Sequence, residues 1–239
     1  MDLHKPKPWH GWRDFLKEFA TIVLGVSVAL AAEQGVEWLH WQGEVKAARQ
    51  AIHDEMIANN RYFQRRIAIA PCMDRQVAEA GRILDDLEAK RPPGHFTVFQ
   101  LGIGSNLREG EWQSDRASQT LTHFPRSELA LMSDQYAELS DFAGWMEDEQ
   151  NNWLALSVLR HSPKEIAGAD ILRLRTALEL VKEVEFHSLA GARRQLNISR
   201  QLGIAMAPVN QEYVEKYCSM NNEEFRVWSL SRDIYKLQQ

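Results

Sequence analysis

The sequence predicts an all-α protein: one long N-terminal helix, packed over its far half against a helical hairpin and shorter helices. Three observations point to it. Apolar residues recur at intervals of three and four through most of the chain, the spacing of helices with one buried face. Only one short segment, Phe96-Thr97-Val98-Phe99, has strand character, and it reads as a short strand or an extended loop. The clearest break, Arg91-Pro92-Pro93-Gly94, falls between helical stretches rather than inside one.

The first element is an apolar run from Phe15 to Glu33, bracketed by Trp9 and Trp12 before it and Trp38 and Trp41 after it. As one helix, Trp12 to Trp38 spans about 39 Å at 1.5 Å per residue. A bilayer with its headgroups is roughly 40–45 Å thick. Tryptophan favours that interface because its ring is apolar and its indole N–H seeks a polar partner. The strictly apolar core, Phe19 to Ala32, is short for a span. Extension to Leu39 brings in Lys17, Glu18, Glu33, Gln34 and Glu37, all toward the ends, where long side chains reach the headgroups.

Three readings of this run compete: an uncleaved signal anchor, a cleaved signal peptide, and a buried helix of a water-soluble protein. The peptide reading rests on basic Lys5, Lys7 and Arg13 and on the small-x-small site Ala29-Leu30-Ala31. The anchor leads, because helical patterning continues past that site and the second tryptophan pair has no role in a cleaved peptide. Thr21, Gly25 and Ala29 put small residues on one face of the span, a surface suited to helix–helix contact in a membrane. Basic residues precede the span and the next one, Lys46, follows Glu33, Glu37 and Glu44. The positive-inside rule then gives a cytoplasmic tail (1–14), a transmembrane anchor (15–38) and an exported helical domain (39–239). In a Gram-negative bacterium this is a single-pass inner-membrane protein with a periplasmic domain.

Past the anchor the helix continues, with Trp41, Val45, Ala48, Ile52, Met56, Asn59, Phe63 and Ile67 on one stripe. Pro71 ends it or opens the next helix, expected from Cys72 to about Lys90. Glycines 102, 104 and 110 suit turns in the segment 95–112. A short helix from Ser114 toward Phe124-Pro125 and a long one from Ser127 to Leu159 follow. Ser162-Pro163-Lys164-Glu165 reads as a capping box for a helix that stops at Gly203. Helices over 211–218 and 223–237 close the chain.

The chain of 239 residues carries 28 Lys+Arg against 33 Asp+Glu, a net charge of −5, which leaves no electrostatic footprint for nucleic acid. Its two cysteines, Cys72 and Cys218, invite a disulfide in an exported domain, with two buried free thiols as the alternative. No zinc helix, Walker loop, nucleophile elbow or calcium loop occurs, and no catalytic, cofactor-binding or metal-binding set is expected. Gly102-Ile103-Gly104 lacks the third glycine of a phosphate-binding loop. His53-Asp54-Glu55 and Glu147-Asp148-Glu149 read as solvated faces, and Arg65-Arg66 as surface or ion-pairing residues.

The run from Trp12 to Leu30, with Ala32-Glu33-Gln34-Gly35-Val36-Glu37-Trp38 after it, resembles a family of bacterial single-pass membrane proteins with a Phe-Leu-x-Glu-Phe, Gly-Val, Ala-Leu anchor. A looser match covers Trp112 to Tyr136. The chain departs from that pattern near Gln34, where an Asn-rich stretch is commoner. The resemblance implies an envelope protein with a helical exported domain and brings no catalytic residues. The expected partners are therefore the lipid bilayer and another envelope protein or a second copy of the chain. The rival is an exported enzyme or small-ligand binder with a site near 96–112.

Overall fold

The computed structural model describes residues 11–104, 106–161 and 163–231; Trp9, Lys5, Lys7 and Ser162 lie outside them. The fold is all-α. Helix α1 (Trp12–Glu88) is one helix of 77 residues, about 115 Å long at 1.5 Å per residue. The other helices are α2 (Gly110–Ala117), α3 (Arg126–Ala137), α4 (Leu139–Leu156), α5 (Val158–His161), α6 (Gly168–Gln201), α7 (Gln211–Ser219) and α8 (Asn222–Ser231). Short 3-10 turns stand at Thr120–His123 and Pro163–Glu165.

The core is a three-helix bundle. The far half of α1 and the length of α4 run in the same direction, and α6 returns antiparallel to both. The pairings fix that register: Arg66 meets Glu149 and Glu185, Asn60 meets Ser199, and Glu138 meets Arg194. The buried residues of α1 begin at Val45 and continue through Ile52, Met56, Phe63, Ile69, Met73, Ile83 and Leu84. Phe63 and Phe142 pack ring to ring at 5.0 Å between centroids. Gly191 permits the closest approach of α6 to α4, since a Cβ there would lie 2.8 Å from the Phe142 ring.

The break expected at Pro71 does not occur; α1 runs through it. Proline removes one hydrogen bond and crowds the preceding turn. Here the proline itself stands on the exposed face, while Ile69, Ala70 and Met73 on either side are buried. Packing outweighs the local cost. The helix expected over 127–159 is divided at Glu138 and Ser157. The strand-like stretch at Phe96–Phe99 forms no strand and belongs to an irregular strap over 89–109. The helix expected to open at the Ser162 capping box begins at Gly168, after the separate 3-10 turn. Its far end stops at Gly203 (φ +71°), where Gly203 N–H donates to Arg200 and Ile204 N–H to Ser199. This is a Schellman ending, which needs glycine's left-handed freedom.

Before Val45 nothing on α1 is buried. That proximal stretch is long and apolar enough to cross a membrane. At its far end the Trp41 ring stacks on His123 at 3.8 Å, tying the helix to the 3-10 turn.

Candidate functional site

The far half of α1 carries a seam of polar residues inside the apolar stripe. Arg66 lies at its centre, fully buried with Glu149. Its Nη1 donates to both Glu149 oxygens at 2.9 and 2.7 Å, and its Nη2 donates to Glu185. Two carboxylates thus share one guanidinium, leaving the triad with one excess negative charge if both are ionised. Burial pushes the Glu149 carboxyl up, against the pull of Arg66. It pushes the Glu185 carboxyl up to about 7. Arg66 stays charged, because the two carboxylates outweigh the desolvation that acts on it. Glu185 Oε1 and Arg66 Nε are buried without hydrogen-bond partners. With Arg66 and Glu149 wholly withdrawn from solvent, the triad has no face to offer a substrate; its chemistry is positional.

Toward the proximal end, Glu55 performs a second buried task. It accepts from the backbone N–H of Glu111 (2.9 Å) and from the Tyr136 hydroxyl (2.7 Å). Helix α2 has no side-chain cap of its own, so Glu55 supplies a carboxylate to its first turn from another helix. Burial, and then the bond to Glu55, push the Tyr136 phenol up. Trp112 stacks flat on Tyr136 at 4.8 Å beside it.

The strap is held by two reciprocal amide clamps from α1. Asn59 donates to the Arg108 carbonyl (2.7 Å) and accepts from its N–H (2.8 Å). Gln76 does the same for Gln100, at 2.7 and 2.8 Å. Each side chain stands in for a neighbouring strand, which lets an irregular segment lie against α1 with the backbone of Gln100 and Arg108 satisfied. Gly102 (φ +87°) brings the strap directly over the triad, since a Cβ there would lie 2.8 Å from Glu149 Cδ. Gln100 reaches on to the Tyr217 and Met220 carbonyls and holds the C-terminal helices. Cys72 on α1 and Cys218 on α7 are joined as a disulfide at that junction, with Cα atoms 5.5 Å apart across a separation of 146 residues.

The sequence-derived candidates are thus scattered. Trp12 and Trp38 are exposed, and Trp41 is half-buried against His123. Thr21, Gly25 and Ala29 lie on an exposed helix surface, with the Thr21 hydroxyl donating back to the Lys17 carbonyl. Among the described residues no cluster of three or more His, Cys, Asp or Glu is placed to hold a metal. The segment 102–104 opens no helix, so it makes no phosphate loop; α2 starts only at Gly110.

Two readings require correction. Glu55 and Glu149 were expected on solvated faces and are both buried. The signal was available: Glu55 lies four residues before Asn59 on the stripe, and Glu149 sits between Met146 and Trp153 at helical spacing. A polar residue in the register of a buried stripe is a buried polar residue.

A groove of about 730 Å3 lies between α4, α5 and α6 and is lined by Ala155, Val158, Ile166, Leu174 and Leu180 among others. Exposed Leu154 and Leu172 stand on the same two long helices. No family model, curated protein or solved structure matches the chain.

Proposed function

We propose that the chain is a single-pass membrane protein whose helical domain, exported from the cytoplasm, engages another envelope protein or a second copy of itself. The observation that carries this reading is the burial contrast along α1. Phe19, Ile22, Val23, Leu24, Val26 and Val28 are all exposed, on every side of the helix, with no protein surface against them. Exposing such a surface to water is costly, at about 25 cal/mol per Å2. A core helix of a water-soluble protein would bury it; lipid removes the cost without protein. The Thr21 hydroxyl is already satisfied by its own helix, as lipid requires.

Arg13 and Lys17 before the span favour a cytoplasmic N-terminus in a bacterial inner membrane. The anchor resemblance supports the same placement. A periplasmic domain suits the Cys72–Cys218 disulfide, because such bonds persist in oxidising compartments. Signal-peptide cleavage after Ala31 would fall inside a helix that continues to Glu88. The interaction surface is the α4–α6 groove with its exposed Val158 and Leu180, flanked by exposed Leu154 and Leu172 on the same two long helices.

Alkaline extraction of membranes tests the anchor: the chain should stay in the pellet with its N-terminus intact. Recovery as a soluble protein beginning near Glu33 would overturn it. Alkylation of unreduced protein should label neither cysteine; labelling of both would refute the disulfide. Crosslinking in intact membranes should trap a homodimer or a partner, and monomer alone would defeat the interaction reading.

A further inference from the structure

A second groove, of about 250 Å3, lies between the strap and the C-terminal helices and plays no part in the anchor or the α4–α6 surface. Arg65 enters it from α1, Asn106 from the strap, Tyr213 from α7, and Asn222 and Arg226 from α8. Its lining holds two arginines and no aspartate or glutamate, in a chain with more acids than bases. Elsewhere the arginines at helix–helix contacts meet carboxylates: Arg49 meets Glu128, Arg66 meets Glu149, and Arg175 meets Glu88. Arg65 instead lies over the Tyr213 ring, 5.5 Å from its centroid, and its Nε is buried without a hydrogen-bond partner. Among the described residues Arg226 makes no ion pair, and the Asn106 and Asn222 side-chain amides make no hydrogen bond.

These donors stand on fixed supports. The disulfide ties α7 to α1. Asn222 N–H donates to the Phe99 carbonyl at 2.7 Å, which fixes the start of α8 on the strap. The Asn59 clamp holds the strap near Asn106. A site whose donors are positioned in advance loses little freedom on binding.

We propose that this groove binds a small ligand through an oxyanion, a carboxylate or a phosphate, held between Arg65 and Arg226. The guanidinium fork matches both groups with paired hydrogen bonds. Asn106 and Asn222 add neutral donors, and Ile103 and Phe225 give an apolar wall for a short carbon skeleton. The volume, about 250 Å3, falls below the roughly 300–1,000 Å3 of sites for drug-sized ligands, which suits a small occupant.

Isothermal titration calorimetry on the full chain in detergent micelles tests this, with succinate and inorganic phosphate as probes at fixed ionic strength. Saturable binding of at least one probe is expected, and the probe that binds distinguishes a carboxylate ligand from a phosphate ligand. Arg226→Gln should weaken it by about tenfold or more, as loss of a charge-assisted bond predicts. Arg65→Gln should do the same. Arg193→Gln, an exposed change outside the groove, should leave binding unchanged. Arg226 is itself exposed, so its variant keeps the test valid if Arg65→Gln fails to fold. Absence of saturable binding by both probes, or unaltered binding in Arg226→Gln, would overturn the proposal.

Discussion

The two halves of α1 are one unbroken helix in two different surroundings. From Trp12 to Glu44 no residue is buried, although the stretch holds the most apolar run in the chain. From Val45 to Leu84 the buried face takes in even two charged residues: Glu55, met by α2 and α3, and Arg66, met by α4 and α6. The distal half meets the charges of Glu55 and Arg66 with other parts of the same chain. The proximal half leaves its apolar surface unanswered among the described residues, as the proposed span requires. The comparison teaches that burial, rather than composition, distinguishes the two halves of one continuous helix.

The sharpest way to break this comparison is to remove an answer from the distal half. Arg66→Met deletes the only positive charge in the triad and leaves Glu149 and Glu185 buried side by side. Loss of one member of a buried ion pair costs about 3–5 kcal/mol. Urea or thermal unfolding in detergent should show that loss, while membrane extraction stays as in the parent. An unchanged unfolding midpoint would mean that the triad is not what holds α1, α4 and α6 in register.

The complementary change strikes the proximal half. Val26→Arg places a charge at the middle of the exposed apolar run. At the centre of a span this costs about 2.5–3.5 kcal/mol of insertion. Membrane retention should fall, and unfolding of the distal bundle should move by no more than about 0.5 kcal/mol, as for a surface change. If retention is untouched, lipid does not surround this helix. The opposite responses to Arg66→Met and Val26→Arg are what two surroundings require.

How much of this was legible in the sequence differs between the halves. Periodicity placed the stripe through Val45, Ile52, Met56 and Phe63, and all four are buried. The all-α class and the stop at Gly203 were also readable, because both depend on residues close together in the chain. The triad was not, because Arg66 finds its partners 83 and 119 positions away. No local rule distinguishes such a pair from surface charges. The strap stayed open between a short strand and an extended loop for the same reason: Phe96–Phe99 carries strand propensity, but Gln76, rather than a neighbouring strand, pairs with the backbone at Gln100. Pro71 failed in the opposite direction, as a strong local signal overridden by the packing of its neighbours.

The clamps allow a milder test. Asn59→Ala removes both bonds to Arg108 and leaves that backbone partly buried without them. A loss of about 1–3 kcal/mol is expected. Hydrogen exchange should quicken at Arg108 and leave the proximal half of α1 untouched. Equal protection in parent and variant would show that the strap is held by its apolar contacts alone.

The smallest change in structure is Glu185→Gln, and its expected sign is opposite to the others. The Glu185 carboxyl is raised to about 7 by burial, and Glu149 is raised with it. The unfolded chain releases such a proton near pH 4.3, whereas the folded chain holds it until about pH 7. Between those values the folded state binds more protons, so stability falls as pH rises and is lowest above the folded value. The groups facing Glu185 set this shift: Arg66 lowers it, while Glu149 and Asp74 raise it. Glutamine resembles the protonated acid and has no proton to lose. Glu185→Gln should therefore match or exceed the parent in stability at pH 7, with a flatter profile between pH 5 and 7. It should unfold alongside the parent, within about 1 kcal/mol, near pH 5, where the parent carboxyl is still protonated. Parallel profiles for parent and variant would show that the triad keeps both carboxylates ionised, and that one guanidinium answers two charges without the help of a proton.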